Sequence, residues 1–167
     1  MPNAAPLALP AARLCRVRLD GEALTRLSPV LEADRAQAVA DLLADNRFLP
    51  LRSLADADGP YCLRLLIVEG RLAFDIRTED DQKLHTVVLA LGPFRRLIKD
   101  YQMLVDSHIH AVQEGREARI QAIDMGRRGL HDEGAQLMIT RLDGKIAIDF
   151  ATARRLFTLV CVLHQRI

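Results

Sequence analysis

At Gly92-Pro93 the apolar residues of this chain change period, and that change limits the fold more than any other feature. Before it, in stretches such as "LAFDIR" and "LHTVVLAL", apolar side chains recur at intervals of two, which sorts them onto one face of a strand. After it, Phe94, Leu97, Ile98, Tyr101, Leu104, Val105, Ile109 and Val112 recur at helical spacing and form one continuous stripe. Pro93 suits the first helical position, where its missing N–H costs nothing. Strands followed by helices, instead of strands alternating with them, predict an α+β fold with a small antiparallel sheet packed on helices.

The remaining elements follow from the same reading. "LCRVRL" predicts a strand over Leu14 to Leu19, and a short N-terminal helix is expected from about Glu32 to Asn46, with Val39, Leu42 and Leu43 on one face. Pro50 and "SLADADGP" mark a loop. "YCLRLLIV" and "LAFDIR" flank Glu69-Gly70, a tight turn; "TEDDQK" is a second connection and "LHTVVLAL" a third strand. This meander of three or four strands should carry Leu72, Phe74 and Ile76 on one face and Asp75 and Arg77 on the other. Beyond the first long helix, a second is predicted from about Glu117 to Leu142. A third runs from Phe150 to about His164, capped by Asp149. The third is apolar nearly all round, which predicts a central position. Residues 1–12 read as a flexible tail and 13–167 as a single globular domain.

Charge and composition exclude several function classes. Lys+Arg total 23 against 22 for Asp+Glu, a formal net charge of +1. That lacks the basic excess typical of proteins held to nucleic acid by phosphate contacts. With no tryptophan and two tyrosines, stacking platforms for single strands are scarce as well. The longest apolar run, Leu156 to Leu163, is far short of the ~20 residues that a membrane span needs, and the start carries no basic region of a signal peptide. Three well-separated cysteines, Cys15, Cys62 and Cys161, suggest a reducing compartment without structural disulfides. A cytoplasmic protein with no nucleic-acid or membrane partner is expected. "HDE" at 131–133 resembles metal chemistry, but adjacent helical residues cannot converge on one ion, so no metal site is expected. Glycine-rich nucleotide loops and nucleophile elbows are absent, and no cofactor is implied.

The arginines are the unusual feature. "DMGRRGLHDEG" lies inside the second long helix, and its spacing puts Arg127 and Gly134 on the same stripe as Ile120, Ile123, Leu130 and Leu137. A guanidinium on an apolar stripe must be paired; Asp75, Glu69 or Asp149 could supply the carboxylate, or a bound anion could. Arg128 differs, since Asp124 and Asp132 stand four residues either side and predict a solvated ladder. Gly126 and Gly134 each weaken a helix by about 1 kcal/mol relative to alanine, which predicts close packing or ligand approach. Two further pairs, Arg95-Arg96 and Arg154-Arg155, fall in the opening turns of helices, where the macrodipole disfavours cations. That arrangement suits a phosphate or carboxylate ligand, although "RTEDD" at 77–81 could neutralise the arginines internally.

At "GPYCLRLLIVEGRLAFDIR", "GPFRRLIKDY", "AIDMGRRGLHDEGAQL" and "TARRLFTLVCVLH" the chain resembles uncharacterised protein family 0262. The resemblance covers nearly everything after the first dozen residues. It implies a small cytosolic bacterial protein and brings no catalytic residue with it. The residues themselves favour a non-enzymatic binding or regulatory protein. Its ligand would be a small phosphorylated or nucleotide-like anion, or an acidic partner, held by Arg95, Arg96, Arg127, Arg154 and Arg155. Two rivals stand beside it: a structural homodimer using an apolar surface such as the third long helix, and a transferase or hydrolase acting on a phosphorylated substrate with His131 or Glu133 as acid or base. A sheet–helix cleft holding three or more of these arginines and a histidine would favour the enzyme.

Overall fold

A computed structural model describes residues 11–21, 27–51 and 59–164. Its elements are β1 (Leu14–Asp20), α1 (Pro29–Ala44), β2 (Phe48–Pro50), β3 (Tyr61–Val68), β4 (Arg71–Thr78), β5 (Lys83–Ala90), α2 (Arg95–Glu114), α3 (Glu117–Leu142), β6 (Ile146–Ile148) and α4 (Phe150–Leu163). Most of the tail expected over 1–12 lies outside the described residues. Ala12 is buried, and its carbonyl accepts from Phe48 N–H at 2.9 Å.

The α+β class holds, with one refinement of the sheet. β3, β4 and β5 form the antiparallel meander, and β1 joins its edge parallel to β3, so the strand order is β1-β3-β4-β5. Parallel neighbours need a long crossover, and the chain between β1 and β3 contains α1. β2 and β6 form a second, two-stranded sheet that periodicity missed, because three residues are too few to show a period. The β3–β4 turn is built as expected: Glu69 and Gly70 both take positive φ, 51° and 73°, which matches the twist of the strands it joins.

Phe74, Leu72 and Ile76 are fully buried on the inner face of the sheet, against a helical layer. Asp75 and Arg77 take the outer face, as alternation requires. Asp75 is nevertheless buried there, between Arg64 Nε at 3.4 Å and Arg77 Nε at 3.1 Å. α1 begins three residues earlier than expected, with Ser28 as its cap and Pro29 in its first turn. Leu42 is buried on its inner face, while Leu43 is 39% exposed, so the apolar face is narrower than the sequence indicated.

α4 is the central helix. Asp149 caps it, accepting from Thr152 N–H at 2.9 Å, and every residue from Leu156 to Leu163 is buried within the chain. It packs on α1, α3 and α2 as well as on β1 and β3. Its apolar surface is therefore covered internally and is not the exposed face a homodimer would need. Gly134 on α3 makes this packing possible: a Cβ there would run into the ring of Phe157 on α4. Gly126 has only ordinary contact with Leu104 and Gly129 faces open space, so of the three glycines only Gly134 is required by packing.

Candidate functional site

The inner helices α1, α3 and α4 enclose a cleft of about 600 Å³ whose lining includes Arg127, Arg128, His131, Arg154, Arg155, Asp34 and Asp41. Three of the five arginines singled out in the sequence, Arg127, Arg154 and Arg155, therefore meet in space. They do so because α3 and α4 lie side by side around the Gly134–Phe157 contact, with Arg127 two turns before that contact on α3.

Arg127 is the anchored member. Its Nη2 donates to Asp34 Oδ2 at 2.7 Å, and the same oxygen accepts from Tyr101 Oη at 2.6 Å. Both partners of the ion pair are mostly withdrawn from water, with 18% and 17% of their side chains exposed. The carboxylate is thus neither Asp75, Glu69 nor Asp149. Asp75 lies on the outer face of the sheet, Glu69 in the β3–β4 turn, and Asp149 is occupied as the cap of α4. Burial and the Asp34 charge push the Tyr101 hydroxyl well above its ordinary range, so it remains a donor.

His131 lies one turn after Arg127 and packs between two rings, Tyr101 at 6.1 Å and Phe157 at 6.3 Å between centroids. Burial, followed by the nearby Arg127 and Arg154 charges, pushes its pKa down to about 4, so the imidazole is neutral at pH 7. Its Nε2 is buried without a hydrogen-bond partner among the described residues.

The other arginines are held loosely. Arg154 Nε lies 3.2 Å from Asp132 and Arg155 Nε 3.6 Å from Asp41, each pair reaching solvent. "RTEDD" does not neutralise either one; its Asp81 pairs with Arg77 at 3.7 Å. Arg128 is exposed, as its spacing indicated, but the expected ladder does not form. Asp132 turns to Arg154 instead, and Arg128 has no ion pair among the described residues although it lines the cleft. Arg95 and Arg96 are exposed at the start of α2 and do not line it; Arg96 pairs with Glu133 and, at 3.3 Å, with Asp100. Sequence reasoning missed Asp34, placed Tyr101 on an apolar stripe without its bond to that carboxylate, and passed over Arg128.

The walls are entirely helical, so the sheet–helix cleft expected of an enzyme is not the one found, although its arginines and histidine are together. Thr158 lines the cleft, and its hydroxyl donates to the Arg154 carbonyl at 3.1 Å, not to a base. Among the described residues no group of three or more His, Cys, Asp or Glu side chains is placed to hold a metal ion, and no helix is long and apolar enough to cross a membrane.

Comparison with known proteins agrees with the resemblance seen in the motifs. The model of the uncharacterised protein family UPF0262 matches residues 11–166. A UPF0262 protein of Granulibacter bethesdensis is 67% identical over 97% of this chain and 95% of its own length. One from Acidiphilium cryptum is 62% identical over 92% and 93%, and one from Maricaulis maris 49% over 92% and 94%. No solved structure matches the chain. A match across all but the ends, with relatives this similar along their whole length, means that the chain belongs to family UPF0262.

Proposed function

We propose that this protein binds a small anionic ligand, phosphorylated or nucleotide-like, in the cleft between α1, α3 and α4, and that it acts as a binding or regulatory protein. The observation that carries this reading is the convergence of four guanidinium groups from two helices, one of them, Arg128, without an ion pair among the described residues. Against them stand Asp34 and Asp41 in the lining and Asp132 beside Arg154, which leaves one positive charge in excess. The pairs differ in strength. Arg127–Asp34 is partly buried and holds α3 to α1, so it is architecture. The solvent-reaching pairs of Arg154 and Arg155 are worth ~0–1 kcal/mol each, little enough for a phosphate to displace their carboxylates with charge-assisted bonds of its own.

His131 in the same cleft favours a second reading, a transferase or hydrolase acting on a phosphorylated substrate. At pH 7 its neutral ring can serve as a base but not as a general acid, and the cleft hydroxyl from α4 donates to a backbone carbonyl, not to that ring. The absence of a nucleophile–base pair among the lining residues described favours binding.

A thermal-shift screen of nucleotides and phosphorylated metabolites tests it, with turnover of any stabilising compound followed alongside. A ligand at a hundred times its Kd adds ~2.7 kcal/mol of stability, and Arg128→Ala and Arg155→Ala should each lose most of that gain. Phosphate also stabilises proteins generally by exclusion from their surfaces, so the difference between parent and variant is the readout. Equal shifts in parent and variants, or no shift across the panel, overturn the cleft as an anion site. Turnover abolished in His131→Gln replaces binding with catalysis.

A further inference from the structure

A second cluster lies away from the cleft, where β1 meets β3. The two strands run parallel, with Leu14 opposite Tyr61 but Arg16 opposite Cys62, so Cys15 is an extra residue in a bulge. Neighbouring strands are about 4.8 Å apart, and the bulge brings Cys15 Sγ to 3.6 Å from Cys62 Sγ across 47 residues of sequence. Neither sulfur is in a disulfide. Cys15 is part-exposed and donates to the Tyr61 carbonyl at 3.3 Å, whereas Cys62 is buried behind it. Arg16, next in sequence, stands opposite Cys62 in the β1–β3 register, which brings its positive charge near that sulfur. An S–S bond is about 2.05 Å long, so side-chain rotation in adjacent strands has only a short gap to close.

We propose that Cys15 and Cys62 form a reversible dithiol–disulfide site, oxidised by exchange with a low-molecular-weight disulfide. The roles follow from exposure. Cys15, the more exposed residue of the two, loses its proton and attacks one sulfur of the incoming disulfide, which releases one thiolate to take up a proton. Cys62 then loses its proton and attacks the Cys15 sulfur; the mixed disulfide breaks and the second small thiol leaves. Two protein thiols are oxidised to one disulfide and one external disulfide is reduced to two thiols. Arg16 supplies positive charge beside the sulfur that must become the second thiolate. Burial, then the neighbouring Cys62, raises the Cys15 pKa, so the first step is slow at neutral pH and accelerates as pH rises. The closed bond would tie the edge strand β1 to the meander. Cys161, fully buried in α4, takes no part.

The test is incubation of the full chain with excess glutathione disulfide, followed by alkylation and intact-mass analysis. The parent should lose two hydrogen atoms, gain a Cys15–Cys62 crosslinked peptide, melt at higher temperature and return to the dithiol with dithiothreitol. Cys62→Ser should stop at a glutathione adduct on Cys15, Cys15→Ser should form no internal disulfide, and Cys161→Ser should behave as the parent. A parent that keeps both thiols at a strongly oxidising ratio, or that crosslinks between chains instead, overturns the proposal. So does a Cys62→Ser variant that acquires no adduct.

Discussion

Arg127 on α3 and Tyr101 on α2 donate to one and the same oxygen of Asp34 on α1, at 2.7 and 2.6 Å. One carboxylate thereby joins three helices. Removing Arg127 leaves Asp34 mostly withdrawn from water with a neutral donor alone, whereas removing Arg128 leaves nothing unpaired. Arg127→Ala should cost about 2–3 kcal/mol, toward the lower end for a buried pair because Tyr101 remains, and Arg128→Ala under ~1 kcal/mol. Urea denaturation of both variants checks this; equal small losses would mean that Arg127 is not part of the framework.

The three glycines of α3 should separate by what their neighbours allow. Gly134→Ala drives a methyl group into the Phe157 ring, and overpacking of this kind costs ~1–3 kcal/mol. Gly129→Ala meets open space and should gain up to about 1 kcal/mol from helix propensity. Opposite signs in the shift of melting temperature are the expected result.

Asn46 clasps β1 to the end of α1. Buried, it accepts from Leu14 N–H at 2.7 Å and donates to the carbonyls of Leu14 at 3.0 Å and Leu42 at 2.8 Å. Asn46→Ala strands buried backbone groups and should cost about 2–4 kcal/mol, more than one hydrogen bond, since unmet groups retain their desolvation penalty. Faster amide exchange at Leu14 should accompany the loss.

Acid should act on the fold through His131. Its pKa falls from an ordinary 6.5 to about 4 on folding, so between those values the unfolded chain binds the proton and the folded one does not. Stability attributable to this residue is full above pH ~6.5 and declines as pH drops toward 4, by a total on the order of 3 kcal/mol. His131→Gln should flatten that part of the profile. The ring proton followed by NMR gives the pKa directly, and a value near 6.5 would show that the ring is hydrated. Phosphate in the cleft would offset the arginine charges and raise it.

What the sequence determined by itself depends on neighbours within a turn or a strand. The period change at Gly92-Pro93, the positive-φ turn at Glu69-Gly70 and the cap at Asp149 are local, and each stands where the residues indicated. So does the withdrawal of Arg127 from water, because helical phase alone put it on the inner stripe. Tertiary structure decided which groups meet. The carboxylate for Arg127 comes from 93 residues away, and no periodicity reports a partner at that distance. Arg128 illustrates the reverse case: its i,i+4 neighbour Asp132 was available, but α4 offered Arg154 to the same carboxylate and took it. Cys15 and Cys62 are likewise strangers in sequence, brought together by a parallel pairing of β1 with β3 that alternation cannot distinguish from an antiparallel one. Local chemistry selects the elements; the choice among competing long-range partners is made only when the packed helices and strands fix which side chains share a space.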